Sequence, residues 1–179
     1  MIQIIAVNST RNRLYSNTCN SAIIISMKKH IRLILLILWM ILIFYMSAQP
    51  QLESETTSNL VAELIYGIYA FIFPNNHLDV AVFLERYIHP IRKLAHFTEF
   101  MILGILVYLN SRDYTKKNNV FYSILFSVLY AVSDEIHQLF VDGRYCDIKD
   151  MGIDTAGALT GILLCHLLMT RCFKRKSRY

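Results

Sequence analysis

The sequence predicts an all-α integral membrane protein, a bundle of four transmembrane helices with one further helix lying in the outer interface. Three observations lead to that class. The 179 residues are 55% apolar and 17% charged, with a mean hydropathy of +0.39, which is not the balance of a water-soluble domain. Stretches approaching the roughly 20 apolar residues that cross a bilayer recur along the chain. The Lys and Arg residues gather between alternate stretches instead of being spread evenly.

Residues 1–26 have neither a sustained helical period nor a charge pattern, whereas Met27 opens a basic flank followed by an apolar run. Residues 1–26 are therefore read as a disordered tail or an extension ahead of the true start, and residues 27–179 as one membrane domain. The first span is predicted at 31–47. Its layout also suits a signal peptide, but the apolar core from Ile31 to Met46 is long for one, so a retained anchor is expected. After a polar loop, "NLVAELIYGIYAFIF" at 59–73 is too short for a span, rich in aromatics and interrupted by Glu63. An interfacial helix is predicted there, capped by Ser58 or Asn59. Further spans are predicted at 91–109, 120–141 and 151–169, each carrying ionisable residues.

The formal charge of +5 matters less than its placement. Lys28, Lys29 and Arg32 precede the first span, Arg112, Lys116 and Lys117 lie between the second and third, and Arg171, Lys174, Arg175, Lys176 and Arg178 follow the fourth. By the positive-inside rule that face is cytoplasmic, with both termini inside and segments 48–90 and 142–150 outside. The basic tail then reads as an orientation signal touching anionic lipid, and no nucleic-acid partner is expected. Cys19, Cys146, Cys165 and Cys172 are scattered, so neither a metal knuckle nor a structural disulfide is predicted.

This topology brings charged ends together. Arg92, His96 and Glu99 share one face of the second span, with Lys93 off that stripe and able to snorkel to headgroups. Asp134 and Gln138 share a face at the outer end of the third, with His137 beside them and Glu135 pointing elsewhere, towards the interface. Asp150, Asp154, Gly157 and Gly161 form a stripe on the fourth, the glycines allowing close helix contact. Gly143 and Arg144 occupy the outer turn. Ionisable groups at membrane depth are costly and mark function by default. The candidate ligand-binding set is Arg92, Lys93, His96, Glu99, Asp134, Glu135, Gln138, Arg144, Asp150 and Asp154. No catalytic residue is assigned, and no metal or cofactor is expected.

The blocks "IRKLAHFTEFMILG", "SDEIHQLFVDGR" and "DIKDMGIDTAGALTG", in this order and spacing, closely resemble the VanZ-like membrane proteins, over about residues 32–168. Asp142 departs from the pattern, which often has proline before the Gly-Arg pair. The resemblance implies a bacterial plasma membrane and a link to low-level resistance to the lipoglycopeptide teicoplanin. It implies no settled mechanism.

Three functional readings follow. In the first, the outer polar site contacts a lipid-linked cell-wall precursor or the drug itself, beside membrane lipids. In the second, a membrane enzyme, a hydrolase or group transferase, acts on such a precursor, with His96 and Glu99 facing Asp134 and His137. In the third, buried pairs such as Arg92 with Asp134, or His96 with Asp154, only fix helix register. His166 is expected to be a packing histidine and His89 to be solvated.

Overall fold

The computed structural model describes residues 26–74, 78–115 and 118–176, with side chains as far as Arg171. Residues 1–25 of the tail proposed at 1–26, Lys116 and Lys117, His77, Cys19, the Cys172 side chain and the basic side chains beyond Arg171 lie outside the described residues, while Ser26 already belongs to the first helix. Among the described residues the chain is all helical: α1 Ser26–Ser47, α2 Gln51–Ile72, α3 Val80–Ser111, α4 Asn119–Gln138 and α5 Ile148–Lys176.

Three helices, α1, α3 and α5, are long and apolar enough to cross a membrane. The fourth expected span, α4, is not among them. Its 20 residues include Ser123, Ser127 and Ser133, with Asp134 and Glu135 near its end at Gln138, which dilute its apolar run. On α1, Ile34, Leu38, Ile41 and Phe44 are all more than 45% exposed, a surface that suits lipid and not water.

Helices α2 and α3 begin two turns or more before the apolar pattern predicts. The stretch read as a polar loop is the start of α2, so Ser58 and Asn59 lie inside the helix and do not cap it. Its polar residues satisfy themselves there: Gln51 Nε2 donates to Glu55 Oε1 at 2.8 Å, and the hydroxyls of Thr56, Thr57 and Ser58 donate to carbonyls four residues back. Helix α3 begins at Val80 and runs through Pro90, where the predicted span only enters the membrane. A mid-helix proline costs about 3 kcal/mol. Asp79 offsets part of this by capping the start, its side chain accepting from Ala81 N at 2.8 Å. Phe83 adds to it, buried in an aromatic cluster with Tyr66, Tyr69 and Tyr87 that fastens α3 to α2.

The core lies around α3, where Phe100, Leu103 and Val107 meet Leu36 and Ile43 of α1, Ala131 of α4 and Ala158 of α5. Helices α3 and α5 run parallel, since Phe97 lies at Gly157, Met101 at Gly161, and the Tyr108 hydroxyl 2.9 Å from His166 Nδ1. His166 is thus the packing histidine the sequence suggested. Glycine is required along this seam: a Cβ on Gly157 or Gly161 would overlap the carbonyl oxygen of Phe97 or Met101, and one on Gly104 that of Ala158.

The turn from α4 to α5 depends on Gly143, the one positive-φ residue among those described, at φ 76°. Substitution Gly143→Ala places a side chain in the left-handed region, with its Cβ 3.2 Å from Gln51 Cβ. A loss of about 1–2 kcal/mol is expected, read as a lower melting temperature in detergent.

Candidate binding site

Segments of α1, α2, α3 and α4, with the turn that follows α4, enclose a cavity of about 190 Å³. Its wall is mostly apolar, including Ile43, Met46, Val61, Ile91 and Ala95, with Glu99 and Asp134 set into it. A second cavity of about 120 Å³ is more polar and is lined by Gln51, Glu55, Gln138, Tyr145, Asp147 and Asp150, among others. Four residues line both: Ser54, Arg92, His96 and Arg144. They form the neck between the two chambers.

Helical spacing explains the neck. Arg92 and His96 are one turn apart on α3 and present one face to α2, whose Ser54 comes from the polar first turns of that helix. Arg144 reaches the neck from the α4–α5 turn and is held by backbone: its Nε donates to Gln49 O at 2.9 Å and its Nη2 to Met46 O at 3.4 Å. Burial, reinforced by the Arg92 guanidinium, pulls Arg144 below the ordinary arginine value, with Asp134, Glu135 and Glu99 acting in the opposite sense. Arg92 makes no hydrogen bond or ion pair with any described residue.

The remaining candidates divide. Asp134 is 5% exposed and accepts from Gln138 Nε2 at 3.4 Å. Asp154 is 0% exposed and has no hydrogen bond to either oxygen; it lies 3.8 Å from His96 Nδ1, behind the histidine and outside both chambers. Lys93 also lies outside them; it pairs with Asp150 at 3.5 Å, where the sequence suggested a headgroup contact. Glu135 does not turn to the interface. It is 1% exposed, and its Oε2 accepts from Asp147 N at 2.9 Å, tying α4 to the start of α5. Of the two pairs the register-only reading named, the His96–Asp154 pair is present and an Arg92–Asp134 pair is absent. His89 is exposed and lines the polar chamber.

The sequence reading missed the α2 hydroxyls of Ser54, Thr57 and Ser58 and the α4–α5 turn residues Tyr145 and Asp147. The i, i+4 bond between Gln51 and Glu55 was the one signal that helix precedes residue 59. Trp39 of α1 also supports the site, its Nε1 donating to Glu99 O at 2.9 Å. Among the described residues no group of three or more His, Cys, Asp or Glu is placed to hold a metal ion.

A family model described as VanZ/LLP1 matches residues 32–169. No curated protein matches the chain, and no solved structure does.

Proposed function

From the premise that the chain belongs to the VanZ/LLP1 family, we propose that it lowers susceptibility to lipoglycopeptide antibiotics such as teicoplanin through the two-chambered outer site. The site contacts either the drug or a lipid intermediate of the cell envelope. In this reading α4 is a fourth span, held in the membrane by its neighbours despite its polar end, and α2 lies in the outer interface with Leu64, Ile68 and Phe71 towards lipid. Both termini are cytoplasmic, in a bacterial plasma membrane, as the basic residues beside α1 and between α3 and α4 suggest.

One observation carries the reading: an apolar chamber and a polar one adjoin at a neck bearing two guanidiniums. An amphiphile with a tail and an anionic, hydroxyl-bearing head fits that sequence of surfaces. A network that served register alone would have no reason to leave Arg92 without a partner.

The test is teicoplanin susceptibility of a sensitive bacterium expressing the chain, beside Arg92→Lys, Glu99→Gln and Asp134→Asn at matched membrane levels. Wild type is expected to protect and the variants to lose most of that protection. Full insertion with no protection overturns the reading.

A further inference from the structure

Deepening that reading and resting on it, we propose that the neck between the two chambers is a phosphate site, and that the ligand is a lipid phosphate whose chain enters the apolar chamber. The distribution of charge carries this. Every carboxylate lining the site belongs to one chamber alone: Glu99 and Asp134 to the apolar one, Glu55, Asp147 and Asp150 to the polar one. The four residues common to both, Ser54, Arg92, His96 and Arg144, include no acid. Each can donate a hydrogen bond, and two are permanently charged. An anion at the neck would therefore be met by donors on every shared side, with the acids displaced into the flanking spaces.

The bonding state of the two arginines strengthens the case. Arg92 makes no hydrogen bond or ion pair with any described residue, so its planar fork is free to take two oxygens of one phosphate. Arg144 is anchored through Nε and Nη2 to the neutral carbonyls of Gln49 and Met46, which fix its direction and leave it without a direct ion pair among the described residues. His96 Nδ1 lies 3.8 Å from Asp154, beyond hydrogen-bond reach, and its Nε2 has no partner among the described residues. As the tautomer with its proton on Nε2, it is a third donor to the phosphate.

The flanks define what the phosphate carries. On one side the wall of Ile43, Val61 and Ile91 suits the first carbons of a hydrocarbon chain. On the other, Gln51, Gln138, Tyr145 and three carboxylates suit a hydroxylated or aminated substituent. About 190 Å³ on the apolar side has room for a headgroup and the start of a chain, not for a whole lipid. The remainder of the chain must lie in the bilayer.

The chain contains a single tryptophan, and its indole is bonded to the backbone of Glu99 in the chamber wall, which makes it a reporter. The full chain in detergent micelles would be titrated with farnesyl phosphate, farnesol, inorganic phosphate and phosphatidylglycerol while Trp39 fluorescence is followed. Saturable binding of farnesyl phosphate is expected, with farnesol and inorganic phosphate each weaker by about tenfold or more. Phosphatidylglycerol binding as tightly would keep the phosphate assignment and make the source a bulk glycerolipid. Arg92→Gln is expected to weaken farnesyl phosphate about tenfold at an unchanged melting temperature, since Arg92 holds no other residue. Arg86→Gln, a charge change at an exposed residue that lines neither chamber, is expected to leave binding as it was. Equal binding of farnesol, equal binding of inorganic phosphate, or an Arg92→Gln chain that binds like wild type would each overturn the assignment. Susceptibility reports separately: protection without lipid-phosphate binding sinks the phosphate site alone, and Arg92-dependent binding without protection sinks the resistance reading alone.

Discussion

Gly157→Val and Gly161→Val are expected to remove the folded protein from the membrane. At each position a Cβ would overlap a carbonyl oxygen of α3, that of Phe97 or of Met101. A backbone atom cannot step aside as a side-chain tip can, so the helices must separate. Overpacking a core typically costs about 1–3 kcal/mol. Parting α3 from α5 costs more, because Phe100, Leu103 and Val107 lose contact with Ala158 together. The measurement is membrane abundance with thermal unfolding in detergent. Gly67 and Gly152 are the controls, since a Cβ on either meets nothing within 4 Å. Gly67→Ala and Gly152→Ala are expected to be neutral or stabilising by up to about 1 kcal/mol, because alanine loses less backbone freedom in a helix. Folded, abundant Gly157→Val and Gly161→Val proteins would contradict the described seam.

Asp154→Asn is expected to leave the fold in place and to abolish function. The carboxyl is fully buried, neither oxygen has a hydrogen bond, and Asp134, Glu135, Asp150 and Glu99 lie around it as further carboxyls, with His96 3.8 Å away. A full charge in that setting would lose several kcal/mol of hydration with no hydrogen bond to restore it. Asparagine keeps the volume, is itself neutral and leaves its amide as unbonded as the carboxyl was, so a melting temperature close to that of wild type is expected, within about 1 kcal/mol in stability. The acid beside His96 Nδ1 is then gone, and protection against teicoplanin should fall. A fall in both stability and protection would mean that the residue serves the fold. Unchanged stability with lost protection would mean that an ionisable group is retained there for the site, against the cost of burying it.

The sequence and the structure agree where periodicity is strong. The stripe Asp150, Asp154, Gly157 and Gly161 could be placed on one helix face by counting, and its glycines meet α3 as that count implies. Arg92 and His96 came together for the same reason. Periodicity failed where polar residues begin a helix: residues 51–58 have no apolar stripe, yet their side chains close on their own turns, so α2 starts there and brings Ser54 to the neck. It failed again at Pro90, where a tertiary aromatic cluster carries the helix past a residue that locally argues for a boundary. Glu135 could not be placed by counting either, because its partner, the amide of Asp147, lies in a turn. Charge neighbours that depend on loop geometry are invisible to spacing.

The parallel course of α3 and α5 has a consequence for how the protein is made. Two parallel helices cannot form as a hairpin; α4 must first be synthesised and turned back before α5 can reach its groove. The close approach of α3 and α5 at the seam glycines is therefore among the last contacts to close, and until it does, Gly104 and the polar end of α3 lack their neighbour. Slow docking of α5 would leave those groups without partners for longer, the condition in which folding intermediates are lost to aggregation.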